Sequence, residues 1–168
     1  MSDETLEANK ALAMAFINAI TDQDLAALEG MLNPDFVWIT AVASDTGPNE
    51  MRQMQSNEMK GKNLPHAKPR LDRDESLAHF RHIFSEYVGD ISERAPDADE
   101  DTKFSFKVHN MIAERDYVAM ECESYIRNPA NDRVYNNFYV YVFRVKDGKL
   151  SLYKEYQDTL HMYDYLAD

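Results

Sequence analysis

The residues able to do chemistry gather in the last third of the chain. Nine of the ten tyrosines lie from Tyr117 onward, and Asp158 follows the last strand-like run. A carboxylate at the mouth of an apolar, tyrosine-lined space loses the hydration of its charged form. Its pKa then rises toward the range useful for general acid–base work. Asp158 is therefore the candidate catalytic acid or base. The alternative is a cap, in which Asp158 accepts bonds from N–H groups near His161. If Asn137, Tyr139, Tyr141 and Phe143 share one inward face, an amide and two hydroxyls can bind a carbonyl or enolate oxygen. They could instead satisfy backbone groups or a dimer contact, and a one-residue slip exchanges the two faces.

Other residues join this set. Tyr156 lies two before Asp158 and shares its face in an unbulged strand. His109, on a strand face with Lys107 and Met111, could orient Asp158 or act as its partner base. A surface histidine is the simpler reading. Trp38 is the sole tryptophan, either a core residue or a pocket wall. Lys154 and Glu155 adjoin Asp158 and face opposite ways.

Several chemistries find no residues. His79 and His82 stand three apart on a helical stretch without a third ligand at a recognisable spacing, so no metal is expected. Cys122 is the one cysteine, which excludes an intrachain disulfide and a cysteine metal cluster. No phosphate-binding glycine loop or nucleophile elbow occurs, and no cofactor is expected. Lys and Arg number 18 against 30 Asp and Glu, a net charge of −12. Such a surface repels phosphate backbones and anionic lipid, so nucleic acid and membrane are not expected partners. Much of that charge sits at the N-terminus and in residues 86–101. The acidic N-terminus lacks a basic and apolar leader, and no run approaches a membrane span. A soluble, cytoplasmic protein is expected.

The elements that must position these residues change character along the chain. Its 168 residues suit one domain with its own core. Leu6, Leu12, Ala13, Phe16, Ile17 and Ile20 make one helical stripe. A short helix from about Asp24 carries Leu25, Leu28, Met31 and Leu32, with Asn33-Pro34 as its stop. Phe36 to Ile39 is β-prone. Residues 43–72, rich in Gly, Pro and Met, form an insertion that is either solvated or a lid whose methionines cover an apolar ligand. Leu77, Phe80, Phe84 and Val88 mark a third helix from about Asp74.

From 103 to 160 the period becomes two. Val118, Met120, Cys122 and Ser124 alternate with polar neighbours, and Lys146-Asp147-Gly148-Lys149 signals a hairpin. A final helical turn is expected over 161–166. Helices first and strands afterwards give an α+β fold. The run from Phe138 to Val145 is apolar on both faces except at Arg144. One face can meet the helices, and a homodimer through the other would cover it.

The run Val134 to Leu150, with Asn136-Asn137-Phe138-Tyr139 and Lys146-Asp147-Gly148-Lys149, resembles the penultimate hairpin of SnoaL-like proteins. The segment Tyr153-Lys154-Glu155-Tyr156-Gln157-Asp158-Thr159 resembles their last strand. These proteins belong to the ketosteroid-isomerase-like branch of the nuclear-transport-factor-two-like superfamily. The resemblance spans nearly the whole chain, with 43–72 as the departure. It implies a cone-shaped, curved mixed or antiparallel sheet wrapped on three N-terminal helices, with an apolar pocket and a sheet-mediated dimer. It also implies that Asp158 holds the position of an acid that acts on substrate in SnoaL-like cyclases. The Phe36 to Thr40 region offers no carboxylate before Asp45 and the first helix no tyrosine, unlike ketosteroid isomerases. The expected function is binding of a small apolar organic molecule. A cofactor-independent isomerase, cyclase or dehydratase is the enzyme reading, and a non-catalytic binding or dimerisation module the alternative.

Overall fold

The computed structural model describes residues 2–39, 70–86, 106–127, 134–158 and 160–161. Helix α1 (Asp3–Thr21) begins where the Ser2 side chain accepts from the Thr5 N–H. Its buried stripe, Ala13, Phe16 and Ile17, is the expected one. The helix ends as the Thr21 hydroxyl turns back to the Ile17 carbonyl at 3.1 Å. Gln23, at φ +52°, then reverses the chain. Helix α2 (Leu25–Met31) is capped by Asp24, whose carboxylate accepts from the Ala27 N–H at 2.9 Å.

Strand β1 (Leu32–Ile39) follows α2 without a loop. The sequence places the helix stop at Asn33-Pro34 and the strand at Phe36. Instead Leu32 is already extended, 1% exposed and paired with Leu150. Tertiary pairing takes the residues before Pro34, which the proline already biases toward extended backbone. Asn33 fixes the junction by donating to the Lys146 carbonyl at 3.2 Å.

Strand β2 (Arg70–Asp72) pairs antiparallel with β1. These three residues were expected to belong to the 43–72 insertion. The rest of that stretch, with its methionines, lies outside the described residues. So do the acidic connection after α3 and most of the expected 161–166 turn, of which only His161 is described, helical together with Leu160. Helix α3 (Arg73–Glu86) starts in a capping box. Asp72 accepts from the Glu75 N–H at 2.9 Å, and Glu75 accepts from the Asp72 N–H at 3.0 Å.

Strands β3 (Phe106–Glu114), β4 (Tyr117–Arg127), β5 (Val134–Lys146) and β6 (Lys149–Gln157) complete a six-stranded sheet of order β2-β1-β6-β5-β4-β3. Among the described strands only β1 and β6 are parallel neighbours. The architecture is the expected α+β cone, a curved mixed sheet with three helices on its inner face. At the β5–β6 turn Asp147 (φ +53°) and Gly148 (φ +71°) take the two left-handed positions that Asp-Gly suits. Inside, Phe16 is the hub. Its ring meets Phe80, Phe143 and Tyr153 edge-on, with centroids 5.9, 5.7 and 5.1 Å away. No described helix is long and apolar enough to cross a membrane.

Two irregularities decide which side chains face inward. In β5–β6, Lys146 pairs with Lys149 and Val145 with Leu150, but Arg144 pairs with Leu152. Ser151 is the extra residue of a bulge. An unbulged hairpin would set Lys154 opposite Tyr141 and Tyr156 opposite Tyr139. The bulge sets Glu155 and Gln157 there instead. In β3 a second irregularity falls between Val108 and Asn110. Lys107 pairs with outward Glu123 and Met111 with buried Met120. The expected common face of Lys107, His109 and Met111 therefore does not exist, because the irregularity breaks the alternation at His109.

Candidate functional site

The inner face near the end of β6 is where polar groups meet the aromatic core. Glu155 points inward from β6, opposite Tyr141. Its Oε1 accepts from the Tyr153 hydroxyl at 2.7 Å. Its Oε2 is sealed from solvent and makes no hydrogen bond of good geometry, with the Trp38 indole N–H close by. Burial pushes the carboxyl up to about 7, while the Tyr153 hydroxyl and the Trp38 indole N–H favour the charged form and hold it partly down. A carboxyl with that value is populated both as acid and as base at neutral pH.

The neighbouring phenols are fixed donors. Burial raises Tyr139, Tyr141 and Tyr153 well above the usual tyrosine value, so all three stay protonated. Burial also raises the Cys122 thiol, which leaves it an inert neutral group on the same face. Trp38, 1% exposed, stacks on Phe80 at 4.7 Å and meets Tyr153 at 5.4 Å and His79 at 5.0 Å. Trp38 thus belongs both to the core and to the wall beside Glu155.

A second polar chain runs alongside. Ser124 donates to the Tyr139 hydroxyl at 3.3 Å, Tyr139 to Tyr135 at 3.2 Å, and Tyr135 to the Gln157 side-chain oxygen at 3.3 Å. The Asn137 amide donates to the Tyr135 hydroxyl at 2.7 Å and to the Asp158 carbonyl at 3.0 Å. Its own oxygen accepts from the Phe138 N–H at 2.8 Å. Asn137 therefore ties β5 to the end of β6, and its amide is committed within the protein.

The structure brings Trp38, Asn137, Tyr139 and Tyr141 together on the inner face. It does not bring the other sequence-derived candidates there. Asp158 is exposed, and its carboxylate accepts from the His161 N–H at 3.1 Å, which is the capping geometry. Tyr156 is 57% exposed on the outer face, paired with Val140. His109 is exposed, and its Nε2 lies 3.2 Å from Glu123 on that outer face. The Ser151 bulge is the physical reason for the exchange on β6. The sequence reading missed Glu155, Tyr153, Tyr135 and Ser124. The available signal was Tyr153 and Glu155 two apart on a strand, once the hairpin register is known. A surface groove of about 470 Å³ lined by Leu32, Pro34, Asp72, Arg73, Asp74 and Lys149 shares no residue with this set.

A six-stranded curved mixed sheet over three helices is the nuclear-transport-factor-two-like fold. Known structures agree at low sequence identity. An LEH-like epoxide hydrolase from M. tuberculosis superposes with a TM-score of 0.63 at 17% identity, covering 95% of this chain and 90% of that one. IdmH, a putative polyketide cyclase from Streptomyces antibioticus, gives 0.60 at 16% identity, covering 95% and 99%. An NTF2-like protein of unknown function from Burkholderia pseudomallei gives 0.60 at 17% identity, covering 98% and 97%. No curated protein sequence matches the chain. The SnoaL-like domain family matches residues 13–153, and the chain belongs to that family.

Proposed function

We propose that this SnoaL-like protein binds a small, largely apolar organic molecule and moves a proton on it with Glu155. The reaction class is a cofactor-independent isomerisation, cyclisation or dehydration. The observation that carries this reading is the Glu155 carboxyl. One oxygen is held by Tyr153, and the other is buried among aromatic rings without a hydrogen bond of good geometry. A buried acceptor left unpaired is costly unless a ligand completes it. In an isomerisation, Oε2 takes a proton from a C–H beside a carbonyl and the bonding pair stays on the ligand as an enolate. The protonated Glu155 then returns the proton at another carbon, so nothing is consumed. Tyr141, opposite Glu155, would turn its hydroxyl from Tyr153 to the enolate oxygen.

The test uses Trp38, the sole tryptophan. Quenching of its emission on titration with apolar enolisable ketones reports binding, and absorbance reports conversion. Glu155→Gln is expected to keep the quenching and to lose turnover by about 10²-fold or more. Unchanged turnover in that variant would refute the assignment.

The outer face supports a second part of the reading, a homodimer. Phe138, Val140, Tyr156 and Ile112 are exposed on it at 60, 43, 57 and 64%. Lys154 pairs with Val142 and Glu121 with Val140, so opposite charges flank the apolar centre on either side of β5. Its single cysteine, buried and unpaired, suits a reducing compartment, and we place the protein in the cytoplasm.

A further inference from the structure

Tyr153 reads at first as a core aromatic, since it is 2% exposed and lies at the centre of the ring cluster. Phe143 stacks on it at 5.3 Å, and Phe16 and Tyr141 meet it edge-on at 5.1 and 5.2 Å. Trp38 lies at 5.4 Å across the parallel strand pair. Packing alone would be served equally by phenylalanine. A ring held on several sides, however, fixes the direction of its hydroxyl, and that hydroxyl meets Glu155 Oε1 at 2.7 Å. The two residues stand at i and i+2 on one strand, so the bond costs no loop ordering.

Resting on the proposed role of Glu155, we propose that Tyr153 is a positioning residue. It holds the Glu155 carboxyl in one orientation through Oε1, so that Oε2 is the oxygen that exchanges a proton with the ligand. The geometry assigns the two oxygens different work. Oε1 has its donor permanently, because the phenol stays protonated. Oε2 has only the nearby Trp38 indole N–H, outside good hydrogen-bond geometry, until a ligand arrives. Tyr141 stands behind Tyr153 and interacts with its hydroxyl, so the donor acting on Glu155 is itself supported.

The experiment is a titration of the Glu155 side-chain carboxyl by ¹³C NMR on glutamate-labelled protein. Its signal is assigned as the one absent in Glu155→Gln. Wild-type, Tyr153→Phe and Tyr141→Phe proteins are compared. A hydrogen bond to a charged group favours the ionised form by about 1.5–3 kcal/mol, so its removal is expected to raise the Glu155 midpoint by about one to two pH units. Tyr141→Phe, one bond further out, is expected to raise it by less. A purely structural role for Tyr153 would lower the melting temperature and leave the midpoint in place.

A wild-type midpoint near the ordinary 4.5 overturns the acid–base reading of Glu155 and the role of Tyr153 with it. A midpoint near 7 that neither tyrosine variant moves overturns the role of Tyr153 alone. Should Tyr153→Phe fail to fold, the Tyr141→Phe midpoint decides: a rise supports the relay, and no rise overturns it.

Discussion

Glu155 ties the stability of the fold to pH in a way that one substitution isolates. Its carboxyl is raised from 4.5 to about 7 in the folded chain, chiefly by burial. A group raised on folding contributes its full stability below the unfolded value and loses it as pH rises through the folded one. Each pKa unit is about 1.4 kcal/mol, so the charged form weakens the fold by about 3 kcal/mol once pH exceeds the folded value. Glu155→Gln keeps the shape and the acceptor for Tyr153 but cannot ionise. The two proteins should therefore have similar stability at about pH 4, below the unfolded value, and the variant should be more stable by about 3 kcal/mol at about pH 8. Urea unfolding at several pH values, taken as the difference between the two proteins, cancels the other carboxylates. A difference that stays flat with pH would show that Glu155 is not held in a water-poor site, and the acid–base reading would fall with it.

Further substitutions probe the remaining assignments. Asp158 is exposed and caps the last turn, so Asp158→Asn should leave turnover on any substrate found within a few-fold of wild type. A loss as large as that of Glu155→Gln would return the catalytic role to Asp158. Gly148 sits at φ +71° in the β5–β6 turn. Gly148→Val should cost about 1–2 kcal/mol by urea unfolding, because a β-branched side chain crowds the left-handed region. Phe138→Asp places a charge at the centre of the outer face and should convert a dimer into a 19.5 kDa monomer by sedimentation equilibrium. A wild-type protein already of that mass at micromolar concentration would refute the dimer.

The periodicity of the chain determined a good deal. The stripe of Ala13, Phe16 and Ile17 made α1 legible, because a period of 3.6 can bury only one helix face. Alternation fixed the inward set Val118, Met120, Cys122 and Ser124, and the outward exposure of Phe138 and Val140 follows from the same period of two. Asp147-Gly148 located the hairpin, since few other residues tolerate its backbone. The grouping of tyrosines on the C-terminal strands likewise pointed to the inner face that carries the candidate site.

Tertiary structure decided the rest. The parallel pairing of β1 with β6 draws Leu32 and Asn33 into a strand, a contact between residues more than a hundred positions apart that no local pattern encodes. The Ser151 bulge matters most. A hairpin read without it turns Tyr156 inward and aligns Asp158 with Asn137, whereas one extra residue turns Glu155 inward and leaves Tyr156 in solvent. Strand side chains alternate with a period of two, so a single inserted residue exchanges every inward position beyond it. The identity of the buried carboxylate therefore rests on where one bulge falls. That is a property of how β5 and β6 pack, and the composition of either strand does not contain it.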